Sequence, residues 1–321
     1  MSLSKNTKKL IAPFADIAAL PFVLIGGFPL RVLRRFGVEF CPLSRNTLLK
    51  LGVFPIEDHY YEPLFNAKRL SGDLNELRPL AFDLREKEQL ELIGRFHYTD
   101  ELKNVPTDGV EGENFFYNNR SFSYGDAEIL YSIIRFFKPK RIIEIGSGNS
   151  TLLAIKAREK NAEEGYTSEH ICIEPYEMPW LEKNHIKVIR KRVEDVDAGV
   201  FKQLDENDIL FIDSSHMIRP QGDVLKEYLE IIPGLNKGVI VHVHDIFTPR
   251  DYRSDWIKKE IKFWNEQYLL EAFLTMNDRF NVLCAVNFLK HEHFSELVKC
   301  CPMLKEHVES EPGSFWIRKV G

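Results

Sequence analysis

From Tyr124 onward the chain alternates between two hydrophobic periods. Ala127, Leu130, Tyr131, Ile134 and Phe137 recur at helical spacing and predict a helix that starts near Asp126 and ends before Pro139. Short β-branched runs follow at Arg141–Ile145, His170–Ile173, Ile186–Ile189, Ile209–Ile212 and Gly238–Val243, separated by helical stretches. This alternation predicts an α/β fold with a mostly parallel sheet covered on both faces by helices. Two later runs, Ala272–Thr275 and Phe315–Val320, predict edge strands with a helix-patterned Phe280–Phe288 region between them, bringing the sheet to seven strands.

Residues 1 to about 120 show no such alternation and are punctuated by Pro55, Pro63, Pro79 and Gly109. They read as a helical and loop-rich cap, 1–120, ahead of an α/β domain, 121–321. Leu10 to Leu30 is mostly apolar, with Lys5, Lys8 and Lys9 before it and Arg31, Arg34 and Arg35 after it. Three prolines, paired glycines and Asp16 interrupt the run, so it reads as an interfacial helix over 10–35 in peripheral membrane contact rather than a span. No small-residue cleavage site marks a signal peptide.

Length and composition add bounds. The chain has 321 residues, 44% of them hydrophobic, enough for one large domain with attachments. Its 43 Lys and Arg against 48 Asp and Glu leave a net charge of −5, which excludes a general electrostatic attraction to nucleic acid. The five cysteines are scattered and lack zinc or thioredoxin spacing, which fits a reducing, cytoplasmic compartment. Adjacent Cys300 and Cys301 read as buried small side chains.

The chemistry-bearing signature begins at Glu144-Ile-Gly-Ser-Gly-Asn-Ser150, where a buried strand runs through a glycine turn into a helix. Glycines let the backbone approach a ligand, and the helix start offers unpaired amides. Gly146, Ser147, Gly148, Asn149 and Ser150 are therefore candidate cofactor contacts. The next strand ends in Glu174, placed by a parallel sheet beside that turn, where a carboxylate can accept both hydroxyls of a ribose. A dinucleotide site is disfavoured because Asn149 stands where a third glycine would be expected and Glu144 precedes the turn.

These residues resemble the class I S-adenosylmethionine-dependent methyltransferases, whose sheet is Rossmann-like. More narrowly, Phe211-Ile-Asp-Ser-Ser-His216, Gly222-Asp-Val224 and His242-Val-His-Asp-Ile-Phe247 resemble the small-molecule methyltransferase family numbered twenty-four, over roughly residues 115 to 320. The resemblance implies S-adenosylmethionine as cofactor, with Glu144 and the glycine turn at its methionine part and Glu174 at its ribose. It matches Glu194 or Asp195 to the adenine position, and Asn119, Ser123 and Asp126 to an entry segment closing over the methionine tail.

Asp213 closes the fourth strand with His216 three residues on, and His244 and Asp245 close the fifth. All carboxyl ends of a parallel sheet face one crevice, so the four should converge near the glycine turn. A neutral imidazole can take the proton of an acceptor hydroxyl, which makes His216 the candidate base and Asp213 a candidate partner of donor or substrate. Similarity to metal-dependent O-methyltransferases implies a divalent ion on Asp213, His244 and Asp245, although His244 stands where those relatives carry a carboxylate. His242 reads as packing, while Asp58–Glu62, Arg250 and Tyr252 are candidate substrate contacts. The expected function is O-methylation of a small hydroxylated molecule, such as a sugar or natural-product intermediate. A metal-dependent hydroxylase and a non-catalytic binding or assembly module are the alternatives.

Overall fold

The computed structural model describes residues 5–70, 72–119, 121–176, 178–184 and 186–321. The chain divides into two compact units, Met1–Ser71 and Gly72–Gly321. In the first, α1 (Lys5–Phe36) runs unbroken through Pro13, Pro21 and Pro29. Arg34 and Arg35 at its end pair with Glu62 and Glu57. The shorter α2 (Pro42–Leu51) stops at Gly52, whose φ of 69° supplies the left-handed cap. The Tyr60 and Tyr61 rings meet at a tilt with centroids 4.0 Å apart and stay exposed.

The boundary expected near residue 120 falls instead at 71/72, and the reason is packing. The helices α3 (Glu86–Ile93) and α4 (Thr99–Lys103) carry Leu92, Ile93 and Leu102 into the same core as the sheet. Polar contacts reinforce this: Gln89 accepts from the Ala285 amide at 2.7 Å, and Glu101 accepts from Arg135 at 2.9 Å and from the Tyr131 hydroxyl.

After α5 (Asp126–Phe137) come β1 (Arg141–Ile145), α6 (Asn149–Glu163), β2 (Glu169–Ile173), β3 (Lys187–Ile189), β4 (Ile209–Ile212) and α7 (Asp223–Lys226). A π turn leads into α8 (Ile232–Gly234), then β5 (Ile240–Val243), α9 (Glu266–Leu274), β6 (Phe280–Ala285), α10 (Val286–Glu292), α11 (Phe294–Leu297) and β7 (Phe315–Lys319). The strands make one seven-stranded sheet in the order β3-β2-β1-β4-β5-β7-β6. β1 to β5 pair in parallel, and β7 is antiparallel to both β5 and β6. Their inner strands are buried along nearly their whole length, and each Ile or Val so removed from water contributes about 1.5–3 kcal/mol.

The seven-strand count holds, but one edge strand lies elsewhere than expected. Ala272–Thr275 falls on α9 and its C-terminal cap, where Leu270 and Leu274 meet the core one turn apart. Phe280–Ala285 is the strand, burying Phe280, Val282 and Cys284 on alternate positions against β7. The apolar spacing of 280–288 mimics a helix because α10 begins directly after β6.

α5 is held at its start by two buried carboxylates. Asp126 accepts from the Gly313 and Ser314 amides, while Glu128 accepts from those of Gly125, Met303 and Leu304. Burial raises the Glu128 carboxyl to about 7 against the pull of those three donors. A carboxyl raised on folding stabilises the protein fully below its unfolded value, near 4.5, and that stabilisation is lost as pH climbs through 7. Urea unfolding should therefore show wild-type stability falling by roughly 2 kcal/mol between about pH 5 and 8 from this group, and Glu128→Gln should fall by less. Equal slopes in the two proteins would refute the assignment.

Candidate functional site

The strand order reverses between β1 and β4, and the carboxyl ends on either side form one knitted rim. Glu174 N donates to Ile189 O, Gly146 N to Ile173 O, Asp213 N to Ile145 O and His244 N to Ile212 O, at 2.9–3.2 Å. Gly146, Ser147, Gly148, Glu174 and Asp213 thus stand side by side, as their positions at strand ends predict.

Gly146 has φ 74°, and a Cβ there would lie 1.9 Å from the Asp213 carbonyl oxygen. Only glycine fits, and the reason is the neighbouring strand rather than a ligand. Gly148 differs, because a Cβ there would meet only Met178 Cε at 3.8 Å. Its open side is the N-terminus of α6. Glu174 lies across the bend, one carboxylate oxygen 3.4 Å from Ser147 N and the other accepting from Tyr176 N at 3.0 Å.

Other expected cofactor contacts have internal partners. Glu144 is 1% exposed and accepts from Ser150 Oγ at 2.6 Å and Thr151 Oγ1 at 2.7 Å, with His170 Nε2 at 3.0 Å. It binds the start of α6 to β1 and β2, so neither it nor the Ser150 hydroxyl faces the crevice. Asn119 donates to the carbonyls of Phe116 and Phe122 and accepts from the amides of Ser121 and Phe122, which spends the side chain on its own loop. Ser123 donates to Tyr117 O, and Asn149 donates to Ser121 Oγ at 2.9 Å. Glu194 and Asp195 lie on a 3₁₀ turn after β3, with Asp195 exposed and paired to Arg192 at 3.0 Å. Tyr252 is buried with its hydroxyl accepting from Gln267 N, and Arg250 pairs with Glu292. His242 stacks on Phe211 and meets Ser314 Oγ at 3.0 Å, as a packing group does.

The polar centre is His216. Its Nε2 lies 3.3 Å from Asp213 Oδ1 and 3.6 Å from Asp245 Oδ2, and its Nδ1 lies 2.8 Å from Glu266 Oε2. Its carbonyl accepts from the Asn265 and Glu266 amides, and Asn265 Oδ1 accepts from Ile218 N, so the start of α9 grips the histidine loop from both sides. His216 and Asp245 both hold left-handed backbone, φ 58° and 56°, conformations that non-glycine residues adopt at a cost. Burial disfavours the His216 cation, but Asp213, Glu266 and Asp245 outweigh it and hold the imidazole well above its ordinary range. Burial likewise raises Asp213, yet His244 and His216 bring it down to about 2. His244 is raised too, burial being overcome by Asp245, Asp213 and Asp126.

Glu266 was not legible in the sequence. It follows His216 by 50 positions, and nothing in its spacing marks it. Its one local sign is its place in the first turn of a helix.

The implied metal set does not gather. Among the described residues, the group whose donor atoms all lie within 4.8 Å of one another is Glu144, His170 and Cys172, not Asp213, His244 and Asp245. His244 Nε2 stands 3.6 Å from Asp245 Oδ1, its Nδ1 has no hydrogen-bond partner, and its ring packs on Phe122. The arrangement does not fit a metal on those three residues.

A doubly wound sheet with a glycine bend, an acid on the adjacent strand and polar groups at the switch point is an arrangement that can hold a nucleoside. A family profile described as a methyltransferase domain, that of the family numbered twenty-four, matches residues 143–246. A protein of Archaeoglobus fulgidus described as uncharacterised is 30% identical over 170 residues, 48% of this chain and 75% of the relative. An O-methyltransferase from Bacillus cereus, solved with S-adenosylhomocysteine, is 12% identical over 73% of this chain and 91% of its own, with a TM-score of 0.35. CmcI with Mg and S-adenosylmethionine is 14% identical over 71% of this chain and 86% of its own, with a TM-score of 0.37. The chain carries this methyltransferase domain over residues 143–246 and is an S-adenosylmethionine-dependent methyltransferase. The hydroxylase reading is thereby set aside.

The two glycines separate fold from ligand. Gly146→Ala should destabilise the protein by more than about 3 kcal/mol, because backbone must move. Gly148→Ala should change stability by less than about 0.5 kcal/mol yet weaken S-adenosylhomocysteine about tenfold or more, measured by calorimetry. Unaltered affinity in Gly148→Ala would remove that glycine from the donor site.

Proposed function

We propose that this methyltransferase acts on a hydroxyl oxygen of a small hydroxylated molecule, with His216 as the base. The single observation that carries the reading is the His216 imidazole, held by Glu266 at one nitrogen and presenting the other between Asp213 and Asp245 on the rim that bears the glycine bend. The donor lies along Gly146–Gly148 and the first turn of α6, with the Glu174 carboxylate accepting from its ribose hydroxyls.

In the reaction the acceptor oxygen attacks the methyl carbon in line with the sulfur. The O–CH₃ bond forms as the S–CH₃ bond breaks, the sulfonium leaves as neutral S-adenosylhomocysteine, and the hydroxyl proton passes to His216 Nε2. Because Asp213, Glu266 and Asp245 hold the imidazole well above its ordinary range, the base is its minority neutral form, and turnover should rise with pH as that form grows. Glu266 keeps Nδ1 occupied and fixes the ring so that Nε2 meets the acceptor. Strained backbone at both His216 and Asp245 supports a functional rather than a packing role. No step is routed through a metal.

Calorimetry with S-adenosylhomocysteine should show Glu174→Ala losing about 1–3 kcal/mol of binding, through loss of charge-assisted hydrogen bonds. His216→Ala should bind that ligand within about twofold of wild type. Its kcat, followed as S-adenosylhomocysteine released with an acceptor drawn from a panel of hydroxylated small molecules, should fall about 10²–10⁴-fold. Full turnover in His216→Ala would end the base assignment, and undiminished affinity in Glu174→Ala would end the ribose assignment.

A further inference from the structure

The first unit carries a surface that methyl transfer does not use. Along α1, Phe14, Ile17, Leu20, Phe22, Val23, Leu24, Ile25 and Phe28 are all more than half exposed. Phe22 to Ile25 are consecutive, and successive residues turn about 100° around a helix axis, so these four alone reach around its circumference. Their exposures run from 62% to 77%. An interfacial helix needs a polar face, and between Leu10 and Leu30 the only ionisable side chain is Asp16. A soluble groove or a second helix would cover one side and leave the rest in water.

We infer that α1 is embedded across a lipid bilayer as an integral anchor of this enzyme. Leu10 to Leu30 gives about 30 Å of helix, the thickness of a hydrocarbon core. The stretch Thr7–Phe36 is long and apolar enough to cross, and none of its most apolar window is buried within the protein. Lys8 and Lys9 at one end stand where anionic headgroups lie, a charge complementarity that selects a bilayer over an apolar protein partner, while Arg31, Arg34 and Arg35 flank the apolar stretch at the other end in pairs with Glu57 and Glu62. Pro13, Pro21 and Pro29 leave the helix continuous, as membrane helices tolerate. Asp16 sits about 9 Å along the axis from Leu10, towards one interface rather than at the centre.

The full chain tests this in two ways: flotation with phosphatidylcholine vesicles containing phosphatidylglycerol, and extraction from cell membranes by high salt, alkaline carbonate or detergent. We expect flotation, and release by detergent alone. Leu20→Lys with Leu24→Lys, placing charge at mid-helix, should cut the floated fraction about tenfold while leaving S-adenosylhomocysteine binding intact, which shows that the rest of the protein is folded. Asp16→Leu should float at least as well as wild type. Release by salt or carbonate would reduce the contact to a peripheral one and overturn the inference. So would a detergent-free soluble monomer, an oligomer held together by α1 without lipid, or an intact mass showing that the helix has been removed as a leader.

Discussion

The approach of β1 to β4 at the switch point is the constraint on which the site depends. The backbone of Gly146 passes so near the Asp213 carbonyl that no side chain fits between them, and the Asp213 amide in turn bonds Ile145 O. That contact sets the bend at the end of β1 and with it the direction in which α6 departs. It also fixes where Asp213 begins the loop leading to His216. Because β2 is registered on β1 through Ile145 and Ile173, Glu174 can stand only beside the same bend.

Buried acids in this protein divide by what surrounds them. Glu144, Asp126 and Glu128 are met by hydroxyls, an imidazole or backbone amides on every side, and they act as rivets joining β1 to α6, α5 to β7 and α5 to the segment around Met303. Asp213 and Asp245 are only partly covered and share one imidazole. Glu266 belongs to neither group, being fully buried yet bonded to the ring that reaches the rim. A carboxylate whose acceptor sites are met internally stabilises a fold, whereas one turned to a crevice beside a cation can meet substrate.

Much of the second unit was legible because short buried strands between helices leave a strong mark on a sequence. The five parallel strands fall within one or two residues of their expected bounds, and α5 begins at Asp126 as its apolar spacing suggests. The edge was misread where β6 runs straight into α10, since neither period lasts long enough there to declare itself. The cap boundary was misplaced because Leu92, Ile93 and Leu102 lie in a stretch rich in loop signals, and burial of three side chains leaves little pattern.

The parallel sheet, the glycine bend and the placing of Asp213, His216 and Asp245 on one rim can be read from the residues alone, because they follow from local periodicity and from the rule that parallel strands present their carboxyl ends together. Which of those groups are available depends on how the elements pack. Packing turned Glu144 and Asn119 inward to bond their own surroundings, kept His244 from joining Asp213 and Asp245 in one donor set, and brought Glu266 to His216 across 50 residues. The physical reason is that a side chain's chemistry is set by the partners that fill its hydrogen-bonding capacity, and those partners come from elements far apart along the chain.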